Sequence, residues 1–329
     1  MKRTREICLY IFFLICLISC QKEDSFLVLN DHVSSNADLD EYKWRQEQNA
    51  WIFSKMRDSY FWNDQLRDSL AYDYSLHPKA FFKSLLVKED RFSYCIENEA
   101  YTRSVNLNET ISLDTVWTYQ NYRVGYFLYD EFSSASDITE VFSKLKKNKV
   151  NELVIDLRGN PGGLIDTGIH LSSFISARTR GKIFCYYRYN QNYSLKNLKE
   201  TGSIYSISYF KDSFNYDSFN LGLDRLFVLV DSRSASCSEL IINCLRPYIK
   251  VIVVGETTVG KDVGMKPISA YGYKYKLYPI TFRTYNAQGD SVPQNGIVPD
   301  ILALDSIDRK DLSIENPIIQ EVLSYLENN

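Results

Sequence analysis

The chain has 329 residues, 45% of them hydrophobic, so it can bury a large core in one large or two modest domains. A formal net charge of −3 without a basic face argues against a nucleic-acid partner. No CxxC pair and no cluster of His and Cys with metal-ligand spacing occurs, so neither a zinc site nor another cofactor is expected.

Residues 1–20 have the pattern of a bacterial export signal. A basic start precedes a 12-residue apolar run at 7–18, which is too short for a membrane-spanning helix of about 20 residues. The end of this segment, Leu-Ile-Ser-Cys, resembles a lipobox and predicts lipidation of Cys20. The alternatives are a short membrane anchor or an ordinary cleaved signal. We expect a protein anchored by lipid in the cell envelope, in the outer membrane or at the cell surface, with residues 21–38 as a tether.

Two helices are predicted in a small amino-terminal domain over residues 39–95. The first begins at Leu39 and carries apolar residues at helical spacing, and Pro78 opens the second. Residues 96–123 are predicted to be a linker with the first strands. Only 30 residues lie between Ser93 and Val124, fewer than the roughly 50 that a small domain needs.

The core is predicted over residues 124–305, starting with a strand at 124–132, a helix at 136–146 and a buried strand at 153–157. Asp156 and Arg158 stand two apart and therefore share a face, which favours an ion pair that holds the next loop over a direct catalytic role. Gly162 and Gly163 can form a tight turn ahead of a helix from Ile165.

The second half of the core contains a Tyr-rich region at 180–220. A strand is predicted at 182–189, followed by irregular polar sequence that forms either a lid with tyrosines along a peptide groove (Tyr193, Tyr205 and Tyr209) or a solvated loop. Residues 271–285 alternate as a hairpin-like strand pair. A short amphipathic helix at 317–326 ends the chain within a carboxy-terminal segment at 306–329.

Between these regions, residues 226–261 read as a β-α-β unit: an apolar run, a stretch of small polar residues, helical spacing, and a second apolar run. A right-handed crossover makes the strands parallel, so Ser236 after the first and Lys261 after the second lie at the same edge. Serine needs a base to become nucleophilic, and this unit holds no histidine. A buried lysine with a lowered pKa can serve. His170 becomes a candidate base only if it lies beside the serine.

These residues resemble the tail-specific, carboxy-terminal processing serine peptidases. The resemblance rests on SASCSE at 234–239, the GETTVGK loop at 255–261, ELVIDLRGNPGG at 152–163, and YPITF followed by NGIVPDI within 278–301. It implies an α/β fold with a crotonase/ClpP-like catalytic core built from β-β-α units, preceded by the helical amino-terminal domain. The run Asp90-Arg91-Phe92-Ser93 resembles the end of that helical region in lipoprotein members. Many relatives carry a PDZ module in the place of the short 96–123 segment.

The resemblance also implies site residues and a substrate. Ser236 and Lys261 form a catalytic dyad that cleaves protein or peptide substrates. The backbone N–H groups of Cys237 and of Gly162 or Gly163 form the oxyanion hole. Four residues play supporting roles: Asp156, Arg158, Asn160 and Glu239. Many relatives place Gln four positions after the lysine, where this chain has Met265, and Asp262 or Glu239 is a candidate substitute.

Three alternatives stay open at this stage. The chain could be a peptide- or glycan-binding lipoprotein that keeps the fold with little turnover. It could be a crotonase-like acyl-CoA enzyme, although the export signal and the lack of a nucleotide-binding pattern oppose this. Finally, the Cys237 thiol could be the nucleophile in place of Ser236. No pattern in the sequence indicates an oligomeric state.

Overall fold

The computed structural model describes residues 36–97, 111–133, 136–212, 214–304, 311 and 313–329. Cys20, the export signal and residues 21–35 of the tether lie outside these residues. Among the helices that are described, none combines the length and the apolar character needed to cross a bilayer.

The amino-terminal unit is helical, as expected. Its two helices are α1 (Asn36–Ser59), which begins three residues before the predicted Leu39, and α2 (Pro78–Ser84). Their apolar faces form an aromatic cluster that includes Trp51, Tyr60 and Phe81. The same cluster contains Tyr275 and Leu277, so the helical unit packs directly on the second half of the chain. A two-stranded antiparallel sheet, β1 (Tyr94–Glu97) with β10 (Tyr275–Tyr278), adds a second connection.

A six-stranded sheet forms the centre of the core, in the order β12-β8-β7-β4-β3-β2. All neighbouring pairs are parallel except β2 with β3 at one edge. The strands are β2 (Ile111–Tyr119), β3 (Tyr122–Tyr129), β4 (Glu152–Asp156), β7 (Arg225–Val230), β8 (Lys250–Gly255) and β12 (Ile301–Leu302).

Both faces of this sheet are covered, which is why its central strands read as continuous apolar runs. One face packs against α3 (Ser136–Lys147), α4 (Ile165–Ser173) and α6 (Cys237–Leu245). The opposite face packs against the carboxy-terminal helix α7 (Pro317–Asn328). This architecture confirms the predicted α/β core behind a helical amino-terminal unit.

A second, four-stranded sheet has the order β6-β5-β11-β9 and corrects two predictions. Its strands are β5 (Ile183–Tyr189), β6 (Tyr205–Tyr209), β9 (Val263–Met265) and β11 (Ile280–Tyr285).

The region after β5 is not irregular, because it contains helix α5 (Gln191–Thr201) and then strand β6. The Asn190 side chain caps the start of α5, and Gly202 ends it in a left-handed conformation with φ 77°. Both signals lie in polar sequence that reads locally as loop.

The hairpin predicted at 271–285 is also wrong. Only Pro279 separates β10 from β11, too few residues for a hairpin turn. β10 pairs with β1 in one sheet, whereas β11 pairs with β5 and β9 in another. The chain therefore passes straight from one sheet to the next.

Candidate active site

Ser236 occupies a sharp turn between β7 and α6. Its backbone has φ 56° and ψ −113°, an unfavourable conformation for a residue with a Cβ, so its surroundings must hold it there. The buried Asp231 carboxylate helps, because it accepts the backbone N–H groups of Gly159 at 2.9 Å and Ser234 at 3.1 Å. Asp231 thus stabilises the turn through Ser234 and connects it to the loop after β4 through Gly159.

Lys261 reaches the same place from β8. Strands β7 and β8 pair in parallel with Val230 opposite Gly255, as the sequence predicts. Ser236 and Lys261 both line one cleft of about 680 Å³. Burial lowers the pKa of the Lys261 amine, and the negative charge of Glu239 opposes part of that effect. The amine is therefore easier to deprotonate than an exposed lysine, and a neutral amine can accept a proton.

The Glu239 carboxylate joins the serine turn to the lysine loop. It is fully buried on α6. Each of its two carboxylate oxygens accepts two hydrogen bonds. Oε2 accepts the backbone N–H groups of Ser236 at 2.9 Å and Lys261 at 2.8 Å. Oε1 accepts the Thr258 hydroxyl at 2.5 Å and the Gly260 N–H at 2.7 Å. One side chain therefore fixes the backbone at both candidate catalytic residues.

The predicted oxyanion loop lies against the serine turn. A Cβ added to Gly162 would meet the Cβ of Ser236 at 2.7 Å and the backbone nitrogen of Cys237 at 2.8 Å, so only glycine fits. The Gly162 N–H donates to Asn160 Oδ1 at 2.8 Å. Among the described residues, no acceptor is found for the N–H of Gly163 or of Cys237. These two groups are consequently the N–H donors left for a substrate oxygen.

Asn160 organises this loop from within the core, where it is fully buried. Its amide nitrogen donates to the carbonyl of Tyr129 at 2.8 Å, and its own carbonyl accepts from the Ala235 N–H and the Ser238 hydroxyl, both at 3.1 Å. Asn160 thus connects β3, the Gly162 turn and the start of α6.

Asp156 and Arg158 form the ion pair expected from their spacing, with Nη2 2.6 Å from Oδ2. The Tyr126 hydroxyl donates to the same oxygen at 2.8 Å, and burial, together with the carboxylate, raises the pKa of that phenol. Neither charged residue lines the cleft. The pair therefore holds the loop from behind.

Several other candidates lie away from the cleft. The His170 ring contacts Tyr216 and Thr139. Burial raises the pKa of the Cys237 thiol, which packs inward and lacks the thiolate character of a nucleophile. Asp262 pairs with Arg283 at 2.9 Å and does not line the cleft, so of the two substitutes considered for the missing Gln, only Glu239 contacts both Ser236 and Lys261.

The aromatic lining of the cleft comes from other tyrosines than those predicted. Tyr193, Tyr205 and Tyr209 do not line it. The ring lining is Tyr94, Tyr187, Tyr189, Tyr278 and Phe282. Tyr94 and Tyr278 stack with ring centroids 4.5 Å apart across the β1–β10 pair. No pattern in the sequence predicts this aromatic lining, because it arises from pairing between strands that are distant along the chain.

Sequence reasoning also missed Thr258 and the contacts of Arg91 and Phe92. Thr258 bridges Glu239 and the N–H of Ile297, which donates to its hydroxyl at 2.8 Å. The Phe92 ring centroid lies 5.2 Å from Lys261 Nζ. The only available signal was that the run at 90–93 resembles the end of the helical region. In the described part of the chain, no group of three or more His, Cys, Asp or Glu residues could hold a metal ion.

Comparison with known proteins adds the family context. The model for peptidase family S41 matches residues 123–303, and the model for the peptidase S41 N-terminal domain matches residues 47–94. The carboxy-terminal processing protease CtpA of Bacillus subtilis is 26% identical over 214 residues, which cover 63% of this chain and 41% of that protein. A carboxy-terminal-processing protease of Bartonella bacilliformis is 26% identical over 186 residues, or 54% of this chain and 38% of that protein. The chain thus spans about two fifths of the length of these curated relatives.

Solved structures support the fold. A putative S41 protease from Bacteroides fragilis superimposes with a TM-score of 0.69 at 18% identity, covering 84% of this chain and 97% of that one. A putative peptidase from Parabacteroides merdae gives a TM-score of 0.53 at 14% identity, covering 85% and 96%.

Proposed function

Because the chain belongs to peptidase family S41, we propose that it is a serine endopeptidase that works through a Ser236–Lys261 dyad. The observation that carries the proposal is the common cleft. One buried carboxylate fixes the backbone of both residues there, and burial lowers the pKa of the lysine amine. A hydroxyl and a poised base at one site are what acyl transfer requires.

The reaction proceeds in two halves. The Ser236 hydroxyl attacks the scissile carbonyl carbon while the Lys261 amine takes its proton, and the carbonyl oxygen becomes an oxyanion. The N–H groups of Cys237 and Gly163 donate to that oxygen. The intermediate then collapses, and the lysine returns the proton to the leaving amine. Water attacks the remaining ester while its proton passes to Lys261; the second intermediate then collapses to release the carboxylic acid, and Lys261 returns the proton to the Ser236 oxygen.

The substrate we propose is an extended segment of a protein chain. The cleft has a volume of about 680 Å³, and aromatic rings line it on the side of β5, β10 and β11. Without room for a PDZ module in residues 96–123, the substrate is captured on the core or on the amino-terminal helices. Recognition of a carboxy-terminal tail is not part of the proposal.

We also propose that the protein is lipidated on Cys20 and held in the cell envelope. The support is the basic start, the 12-residue apolar run and the lipobox-like sequence before Cys20. Metabolic labelling with a radioactive fatty acid should mark the wild-type protein and not a Cys20→Ala variant, which should leave the membrane fraction. A variant that stays labelled and sedimenting refutes the anchor.

The dyad is tested with a fluorophosphonate label and an unfolded protein substrate. We expect the wild-type protein to react at Ser236, and Ser236→Ala and Lys261→Met to lose both labelling and cleavage. Cys237→Ser serves as a control, because only its backbone N–H takes part in the mechanism. Full activity of either dyad variant would refute the assignment. A wild-type protein that binds peptide without labelling would show that the fold serves binding only.

A further inference from the structure

The four residues Asp90, Arg91, Phe92 and Ser93, which we call the strap, connect the helical unit to β1 and cross the lysine loop. Asp90 shapes the strap: its Oδ1 accepts the N–H groups of Phe92 at 3.0 Å and Ser93 at 2.9 Å, and its Oδ2 accepts the buried Tyr60 hydroxyl at 2.8 Å. Ser93 fastens the far end, because its hydroxyl accepts the N–H of Ile280 at 2.7 Å. The strap is therefore fixed at both ends.

Arg91 reaches from the strap to the residue before Lys261. Its Nη2 donates to the carbonyl of Gly260 at 2.7 Å and to the carbonyl of Gln294 at 2.9 Å. These two loops already touch, since a Cβ on Gly260 would lie 2.3 Å from the Gln294 oxygen. Glu239 holds the Gly260 N–H on the other side of the same residue. The peptide before Lys261 is thus held from both the core and the helical unit.

Phe92 covers the amine itself. Its ring centroid lies 5.2 Å from Lys261 Nζ, and the Arg91 guanidinium carbon lies 4.7 Å from the same centroid. The ring occupies space that water would otherwise fill, and it limits the directions in which the lysine chain can point.

We propose that Arg91 and Phe92 are positioning residues for Lys261, so that the helical unit completes the active site of the core. Arg91 sets the backbone from which the lysine side chain starts, and Phe92 covers its amine. This inference rests on the proposed function, in which Lys261 is the base.

Besides the Phe92 ring, several charged groups lie near the Lys261 amine and influence its protonation. Glu239 on α6 faces it from the core, and Asp262 next to it is paired with Arg283 of β11. The remaining charged residues of the cleft are Glu131 and Lys266. The Arg91 guanidinium also faces this region and contacts the Phe92 ring, so the profile of Phe92→Ala is compared with that of Arg91→Met to separate the ring from the charge.

The first test measures kcat and KM with an unfolded protein substrate. Arg91→Met is expected to lower kcat by about tenfold to a hundredfold, because small displacements of a catalytic group carry costs of this order, while KM changes little. Lys88→Met removes a positive charge from an exposed position three residues earlier and should match wild type. Both bonds come from the single nitrogen Nη2, so the ammonium of Arg91→Lys can donate to the same two carbonyls, but its shorter side chain should recover only part of the loss. Wild-type kcat in Arg91→Met, with native urea unfolding, overturns the role of Arg91.

The second test measures the protonation of the Lys261 amine without relying on catalysis. In a Ser236→Ala background, the rate of Lys261 acetylation by acetic anhydride is followed against pH by peptide mass spectrometry. Phe92→Ala should move the midpoint of this profile to higher pH, because water then reaches the ammonium. Phe92→Leu keeps an apolar cover without the aromatic ring and should stay close to wild type. An unshifted Phe92→Ala profile overturns the role of Phe92. Because this assay does not depend on turnover, it separates a failure of the strap from a failure of the peptidase assignment.

Discussion

Replacing Glu239 with glutamine tests the link between the two candidate catalytic residues. The change preserves shape and removes one negative charge. The native carboxylate accepts four hydrogen bonds: from the N–H groups of Ser236, Gly260 and Lys261 and from the Thr258 hydroxyl. Glutamine offers one acceptor oxygen and one NH₂ group, so it cannot satisfy three N–H donors on two sides.

The orientation of the amide sets the size of the effect. With its NH₂ group in place of Oε2, it would face two N–H donors, from Ser236 and Lys261. With the NH₂ group in place of Oε1, only the Gly260 N–H loses its acceptor, because the Thr258 hydroxyl can accept. The second orientation is therefore favoured. One unsatisfied buried donor costs about 1–3 kcal/mol, and the remaining bonds lose their charge assistance, so we expect a total of about 3 kcal/mol.

Urea unfolding followed by circular dichroism measures this loss as a lower midpoint at an unchanged slope. At roughly 2 °C per kcal/mol for a chain of this size, the melting temperature should fall by about 6 °C. Glu256→Gln is the matched control, since Glu256 accepts one long bond at 3.3 Å, from the N–H of Ser232, and should cost less than about 0.5 kcal/mol. Because the N–H of Gly260, the residue before Lys261, loses its acceptor in Glu239→Gln, kcat should fall as well. Unchanged stability together with unchanged kcat would refute the link.

Three further predictions follow from the same site. Lys261→Met should stabilise the protein at neutral pH, because burial lowers the pKa of the folded amine below its usual 10.5 and protonation then favours unfolding. The increase in the free energy of unfolding, measured with urea, should be largest below the pKa of the folded amine and vanish as pH rises to 10.5. An increase that does not depend on pH would contradict this prediction. Gly162→Ala should abolish fluorophosphonate labelling, whereas Gly202→Ala, also at positive φ but with no atom within 4 Å of the added Cβ, should keep it. Met265→Gln should change kcat less than about threefold, since Glu239 already fixes both loops; a larger gain would give the missing glutamine a role.

That Ser236 and Lys261 line one cleft could be predicted because the causes of this placement are local. Two apolar runs flank a helical segment, and the handedness of the crossover brings the ends of parallel strands to one edge. The Asp156–Arg158 pair was predictable for the same reason, as residues two apart on a strand share a face. Where spacing and chirality determine the geometry, the sequence was sufficient.

Strand β6 and helix α5 were missed because their sequences are polar. Among the described strands, β6 pairs with β5, and it is polar in alternate positions; the cap of α5 lies in a polar stretch that resembles a loop. The supposed hairpin at 271–285 failed for a different reason. Alternation predicts strands correctly, but it does not say which strands pair, and here β10 pairs with β1 whereas β11 pairs with β5.

The strap lay beyond sequence reasoning for a reason that bears on how the site works. Arg91 contacts carbonyl groups 169 and 203 residues further along the chain, and no local pattern encodes such contacts. The same separation places one wall of the candidate site on the helical unit and the nucleophile on the core. Separation of the helical unit from the core would therefore expose Lys261 to water and break the hydrogen bond from Arg91 to the Gly260 carbonyl at the same time. Assembly of the base then depends on docking of the helical unit, so destabilising the aromatic cluster around Trp51 should lower activity before the core unfolds.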